Sequence, residues 1–218
     1  MSTEGKDKYK YEKIFQKQGV MSKGKTALIK NGRPVVVSEF IGRYGENKAL
    51  DEKWDKYGHK CEGRPNILDV MTLDPKSMID IGAGYNEFID EIRAATCYNK
   101  SKFIGVDIAC PGADVIAPAH NLPFEDQEFD MIVSFDCMEH IPEEEVPLAI
   151  KEFHRVGKRI YLKIAMADSP TLIDGEGLHV CVKPVDWWLE QIREYFPEAY
   201  IRQHDRKGTP AEYIVVYG

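Results

Sequence analysis

Residues 78–88 read Met-Ile-Asp-Ile-Gly-Ala-Gly-Tyr-Asn-Glu-Phe, an apolar run that meets two glycines and then turns polar. A buried strand passes into a helix through a tight turn in this way. Gly82 and Gly84 leave no Cβ between the backbone and a ligand, and the turn over 82–86 is expected to open a helix whose N–H groups point outward. Asn86 stands where a third glycine would complete a dinucleotide-binding fingerprint, and Asn is the residue after glycine that most readily takes positive φ. A plain strand-turn-helix needs the same residues, so the surrounding sequence has to decide between a fold element and a nucleotide site.

That surrounding sequence continues the pattern. After a helix expected over 86–97, a second apolar run, Phe103-Ile104-Gly105-Val106, ends in Asp107, 23 positions beyond Gly84. An acid at the tip of the second strand of a β-α-β unit accepts hydrogen bonds from ribose hydroxyls; the alternative is that Asp107 only caps the strand. Further strands are expected at 77–81, 114–116, 128–134 and 158–164, and helices at 65–71, 143–157 and 184–196. Residues 199–204 and 212–217 read as a terminal β-hairpin. Alternation of this kind predicts a parallel sheet covered by helices on both faces. Helix 143–157 begins with acids and ends at Gly157, which is expected to be its left-handed cap. Pro147 fits only the first turn, which moves the start toward Val146.

Three further segments complete a set: Asn121-Leu122-Pro123-Phe124-Glu125-Asp126, Phe129-Asp130-Met131-Ile132-Val133-Ser134, and Glu139-His140-Ile141-Pro142. With the glycine turn, they resemble the class I S-adenosylmethionine-dependent methyltransferases, in particular the subgroup with Leu-Pro-Phe and Glu-His in this order. The resemblance is close over 78–165 and looser elsewhere. It implies a Rossmann-like, doubly wound α/β fold with seven strands, mostly parallel with one antiparallel C-terminal strand. It also implies S-adenosyl-L-methionine as cofactor and S-adenosyl-L-homocysteine as product. On that resemblance Asp80, Gly82 and Gly84 match the loop that holds the methionine part of the cofactor. Asp107, followed by Ile108, matches the acid that binds its ribose. Ala119, His120 and Asn121 match the segment that edges the adenine, and Ser134 to Asp136 the strand end beneath the sulfonium. Pro118 stands where many relatives carry an Asp, which would leave adenine recognition to backbone groups or to Asn121.

Composition sets the outer bounds. A chain of 218 residues, 43% hydrophobic, is long enough for one sizeable core and short for two. The economical division is an arm and cap helix over 1–60 and one catalytic domain over 61–218. Five cysteines without a Cys-x-x-Cys pair argue against a zinc ribbon or a disulfide framework. No run approaches a membrane span of about 20 apolar residues, and the lysine-rich start lacks a signal peptide's apolar segment, so a cytoplasmic protein without membrane attachment is expected.

Charge divides unevenly. Residues 1–60 carry 14 Lys/Arg against 8 Asp/Glu, whereas 61–218 carry 15 against 28. A basic arm on an acidic body suits phosphates or simple solvation, and lysine-rich residues 2–30 are expected to be disordered or loosely docked. Residues 44–60 read as a helix with Leu50, Trp54 and Tyr57 on one face. Trp54 and Tyr57 are candidates for a substrate wall; ordinary packing against the domain is the alternative.

In-line methyl transfer from a sulfonium requires positioning and no metal, and none is assigned from the sequence. An acceptor hydroxyl or ammonium also has to lose a proton. His140, beside the fourth strand, and His179, after a long loop over 165–178, are the candidate bases; the alternatives are a buttress of the cofactor loop and a loop histidine bound to backbone. Asp136 and Glu139 either orient an amine or are exposed acids at a helix start. Where amino-methylating nucleic-acid enzymes carry Asn-Pro-Pro-Tyr, this chain has Ser-Phe-Asp-Cys, and it has no Pro-Cys nucleophile for cytosine. A small-molecule acceptor methylated on oxygen or nitrogen is therefore expected. Two alternatives stay open: a nucleic-acid or nucleotide methyltransferase using the basic arm, and a non-catalytic subunit that keeps the fold. Oligomeric state is not readable.

Overall fold

The computed structural model describes residues 66–95, 102–108, 112–169, 176–205 and 213–218, together with Gly63, Cys110 and the short strands at Thr26–Ala27, Val35–Val36 and Leu172–Ile173. The helix expected over 44–60, with Trp54 and Tyr57, lies outside the described residues. So does most of the expected arm; within it, β1 (Thr26–Ala27) pairs antiparallel with β2 (Val35–Val36), and the first of these strands was not expected from sequence.

Helix α1 (Ile67–Thr72) leads into β3 (Met78–Ile81). There follow α2 (Glu87–Ala95), β4 (Phe103–Asp107), β5 (Val115–Ile116), β6 (Phe129–Phe135), a 3-10 turn over Met138–His140, α3 (Val146–Val156) and β7 (Gly157–Ala165). A two-residue ribbon, β8 (Leu172–Ile173) with β9 (Glu176–Gly177), interrupts the long loop. Then come α4 (Val185–Arg193), β10 (Tyr200–Asp205) and β11 (Tyr213–Tyr217). The main sheet has seven strands in the order β10-β11-β7-β6-β3-β4-β5. Pairings from β5 through β7 are parallel, and β11 is antiparallel to both of its neighbours. The expected α/β architecture, including the single antiparallel C-terminal strand, is what forms.

Strand periodicity of two sends alternate side chains to opposite faces, and both faces are apolar. Ile79, Ile81, Ile132, Ile160 and Leu162 join Phe153 of α3 and Trp188 of α4 in one buried layer. Met78, Met131, Val133 and Tyr161 join Val70 of α1 and Phe88, Ile89 and Ile92 of α2 in the other. Helix α3 buries Val146, Ala149, Ile150, Phe153 and Val156, a helical stripe, and starts at Val146 with Pro147 in its first turn, where no intrahelical N–H is lost.

One expected cap is corrected. Gly157 is extended, with φ −132° and ψ 156°, and is the first residue of β7. A Cβ there would lie 2.5 Å from Ile132 Cγ1, so close packing against β6, and not a left-handed turn, is what requires glycine.

A second device fixes the segment after β5. Arg155 of α3 donates to the carbonyls of Leu122 and Phe124 and pairs with Asp126 and Glu152, while Glu152 accepts from the Leu122 amide at 2.8 Å. Leu122 is buried completely, and Phe124 stacks edge-on against Phe129. The Leu-Pro-Phe segment is thus a plug tied to α3, and the residues before it, 117–120, are held over the carboxyl end of β4.

Candidate active site

The strand order reverses at β3, with β4 on one side and β6 on the other, and open α/β sheets bind ligands outside the carboxyl ends at such a point. The glycine turn lies there. Gly82 and Gly84 have φ of 83° and 54°, and Asn86 has φ 68°, the conformation expected of it. Asn86 is buried, and its Oδ1 occupies the place where a Cβ on Gly105 would stand, 1.6 Å away. Glycine at 105 in β4 is therefore a condition for asparagine at 86 in the turn.

The amides of this turn do not point outward as expected. Gly82 and Ala83 both donate to the Val106 carbonyl, at 2.8 and 3.0 Å, and Asn86 donates to Ala83. Gly84 donates to Asp107 Oδ2 at 3.1 Å, and the Cys110 amide donates to Oδ1 at 2.8 Å. The turn is bolted to the end of β4, and it offers a ligand a bare backbone surface in place of a nest of donors. Asp107 does more than cap a strand, since it ties two loops together. A carboxylate has about four lone-pair sites, so two amide bonds do not exhaust it.

Between these loops lies a cavity with about 450 Å³ of open space including its mouth. Gly82, Asp107 and Ile108 line one side, and Ala119 and His120 another. His140 lines the third, together with Cys137 and Ile141, which the sequence did not single out. Glu145, also unforeseen, lines the rim and lies 3.2 Å from His120 Nδ1. The lining does not include Asp80, Gly84, Asn121, Ser134 or Asp136. Of these, Ser134 donates its hydroxyl to the Ile81 carbonyl at 2.8 Å, and Asp136 pairs with Lys163 at 2.6 Å, so both hold strands together. Asn121 donates its amide to the Pro118 carbonyl. Of the expected segment Ala119, His120 and Asn121, the first two line the wall beyond Asp107 and Asn121 does not.

Burial shapes the acid-base chemistry. Asp80 sits under the turn, and burial, with the charge of Asp107 adding to it, raises its pKa to about 8. Burial likewise pushes the Cys137 thiol up, which keeps it protonated and unsuited to nucleophilic attack. His140 is pushed the other way: burial, then the neighbouring His179, lower it to about 4.

The two candidate histidines, 39 positions apart, form one cluster. Their rings meet edge to face with centroids 4.9 Å apart. The Glu139 carbonyl accepts from the amides of Val180 and Cys181 at 2.9 and 3.0 Å, which staples the end of the long loop onto the 3-10 turn. His140 Nδ1 faces the Leu178 carbonyl at 3.0 Å and His179 Nδ1 the Ala167 carbonyl at 2.5 Å. Glu139, for which an exposed acid was one of the two readings, is wholly buried beside them, and its Oε1 lies 3.9 Å from His179 Nε2. Neither carboxylate oxygen has a hydrogen bond of normal geometry; the amides of Glu139 and Ala165 only approach it. Burial, reinforced by the charge of Asp136, raises the Glu139 pKa well above the ordinary carboxylate range.

Known proteins agree with this geometry. Residues 79–159 match the model of a family described as a methyltransferase domain. Over these residues the chain is similar to a methyltransferase domain. Its sequence is similar to norajmaline N-methyltransferase of Rauvolfia serpentina, 26% identical, with 37% of this chain aligned; the chain spans about a third, 32%, of that relative's length. The same fold is seen in 1,6-didemethyltoxoflavin-N1-methyltransferase of Burkholderia thailandensis, with a TM-score of 0.56 at 14% identity over 88% of this chain and 97% of that one. It is seen again in phosphoethanolamine N-methyltransferase 2 of Haemonchus contortus, with a TM-score of 0.56 at 14% identity over 79% of this chain and 48% of that one. The matched segment contains both the glycine turn and Asp107, which border the cavity at the carboxyl edge of the sheet. Among the described residues, no helix is long and apolar enough to cross a membrane.

Proposed function

We propose that the chain transfers a methyl group from S-adenosylmethionine to an oxygen or nitrogen of a small acceptor. One observation carries this reading. A cavity at the reversal of strand order has a glycine turn and a ribose-type acid on one wall and His140, its ring in contact with His179, on the other. The B. thailandensis neighbour is described with 1,6-didemethyltoxoflavin and S-adenosylhomocysteine bound, which supports both the cofactor and a small acceptor.

In this reading the bare surface of Gly82 takes the methionine part of the cofactor, and Asp107 accepts the ribose hydroxyls alongside its two amides. Ala119 and His120 border the base. His140, its ring packed against His179, would border the reacting end of the cofactor. Displacement proceeds in line: the acceptor atom forms its bond to the methyl carbon as the sulfur–carbon bond breaks and the sulfur leaves as a neutral thioether. The protein supplies alignment and exclusion of water. Proton removal falls to the acceptor side. His140, held near pH 4, stays neutral at pH 7 with Nδ1–H donated to Leu178, so its Nε2 presents a lone pair. That suits a hydrogen-bond acceptor or a ligand better than a strong base.

The test is calorimetry with S-adenosylhomocysteine, followed by mass-spectrometric screening of hydroxylated and amino acceptors with S-adenosylmethionine. Micromolar binding and a mass gain of one methyl on an acceptor are expected. No cofactor binding would end this reading, and binding without turnover across the panel would favour a regulatory subunit.

A further inference from the structure

The mechanism above leaves one group unused. Glu139 has no exposed surface and neither of its oxygens has a normal hydrogen bond, yet it stands at the carboxyl end of the sheet beside a cavity. A buried carboxyl without partners is costly and is retained where something else satisfies it. What surrounds it indicates what that is.

Glu139, His140 and His179 each offer one ligand atom, and these atoms lie within 4.8 Å of one another. The hydrogen bonds of the histidines fix which nitrogen is offered. Each ring turns Nδ1 to a backbone carbonyl, His140 to Leu178 at 3.0 Å and His179 to Ala167 at 2.5 Å. A neutral ring that donates through Nδ1 has its lone pair on Nε2, and a carbonyl-anchored imidazole is the usual support for a metal-bound histidine. Two imidazoles and one carboxylate are the donor set of open sites for zinc and for non-haem iron, which keep positions vacant for water or substrate. Nitrogen and oxygen ligands at about 2.0–2.2 Å from an ion lie roughly 3–4 Å apart, so the trio has to draw in by about 1 Å. Side-chain rotation accomplishes that.

We propose that Glu139, His140 and His179 bind a first-row divalent metal ion at the acceptor end of the cavity. The ion gives the carboxylate the coordination that its neighbours, His179 Nε2 at 3.9 Å among them, do not supply, and His140, which lines the cavity, links the site to it. A consequence, which rests on the cofactor reading above, concerns the acceptor. An acceptor with a hydroxyl beside a second oxygen donor binds the ion through both. The ion lowers the hydroxyl pKa, the proton passes to solvent, and the oxygen attacks the sulfonium methyl as the sulfur–carbon bond breaks. No strong protein base is then required.

The experiment uses the full chain without a histidine tag, stripped with a chelator and titrated with Co²⁺ while its visible ligand-field bands are recorded. One Co²⁺ per chain is expected, displaced by Zn²⁺. His179→Ala should weaken binding about 100-fold or more, and Glu139→Gln, which keeps the shape and removes the carboxylate ligand, at least tenfold; His154→Ala, outside the cluster, should leave it unchanged. S-adenosylhomocysteine calorimetry on each variant reports whether the fold is intact. A chain that binds S-adenosylhomocysteine but takes up no stoichiometric Co²⁺ overturns the proposal, as does uptake unaltered in both cluster variants. Co²⁺ bound without any S-adenosylhomocysteine binding would sustain the metal site and overturn the cofactor reading instead.

Discussion

The two walls of the cavity are built on opposite principles. On the cofactor wall the amides of the glycine turn are already spoken for, Gly82 and Ala83 by Val106 and Gly84, with Cys110, by Asp107, and the buried Asn86 Oδ1 is the exception. Behind the acceptor wall Glu139 is buried with neither oxygen in a normal hydrogen bond, and His140, which lines the wall, and His179 behind it each turn Nδ1 to a backbone carbonyl. The first wall is a finished surface to which a ligand conforms. The second stores unmet bonding capacity, which a ligand or ion can draw upon. Affinity should therefore depend on the first wall and turnover on the second.

The largest expected effect lies on the acceptor wall. His140→Ala and His179→Ala should each lower turnover about 100-fold or more while leaving cofactor affinity nearly unchanged, as single-turnover rates beside calorimetric binding constants would show. Equal losses in both quantities would erase the distinction between the walls. Next is Asp107→Ala, which should weaken S-adenosylmethionine binding at least tenfold, in line with about 1.5–3 kcal/mol for hydrogen bonds to a charged group. Because Asp107 also holds the amides of Gly84 and Cys110, a variant with unchanged affinity would show that the finished wall does not need its central tie.

A third test is purely steric. Gly105→Ala puts a methyl where Asn86 Oδ1 stands and 2.8 Å from Ala83 Cβ. Overpacking of this kind costs about 1–3 kcal/mol, so urea unfolding should shift and cofactor affinity should fall with it. Stability lost with affinity intact would mean that the turn's shape is irrelevant to binding.

The smallest effect is in pH. Asp80 has a folded-state pKa of about 8 against an ordinary 3.8, so in the empty protein it carries a proton at pH 7. A cationic ligand nearby favours the carboxylate, and binding then releases that proton. Affinity should rise as pH increases toward 8 and level off above it, more steeply for S-adenosylmethionine, with its sulfonium, than for S-adenosylhomocysteine. Calorimetry in buffers of different ionisation enthalpy measures the proton directly, and a flat profile would remove Asp80 from the site.

The sequence disclosed these walls unequally, for a physical reason. Gly82, Gly84 and Asn86 take positive φ because of chain-local sterics, and local sterics are visible in a local pattern. Strand and helix positions followed from periodicity, which is local too. Gly157 misled because a helix-ending glycine has two causes, a left-handed cap or a crowded neighbour, and the crowding atom belongs to Ile132, far away in sequence. Glu139 misled in the same way. Its burial depends on backbone bonds to Val180 and Cys181, and nothing within a few residues of Glu139 announces them. His140 and His179 were each legible as candidates, but their meeting was not, since it is made by a loop that returns after 38 residues.

The junction at Gly157 has a consequence for how such a chain diversifies. Helix α3 ends at Val156 and β7 begins at the next residue, so there is no slack between them. One inserted residue at this point would advance β7 by half a pleat. Ile160, Leu162 and Ile164 would exchange places with Lys163 and Tyr161, and the ladders to β6 and β11 would re-form with the wrong faces inward. The amino ends of the strands are thus intolerant of changes in length. At the opposite edge, the 19 residues between β7 and α4 can be lengthened or shortened without altering the register of the seven-stranded sheet. New acceptors can accordingly be accommodated by redrafting that segment alone, with the cofactor wall left as it is.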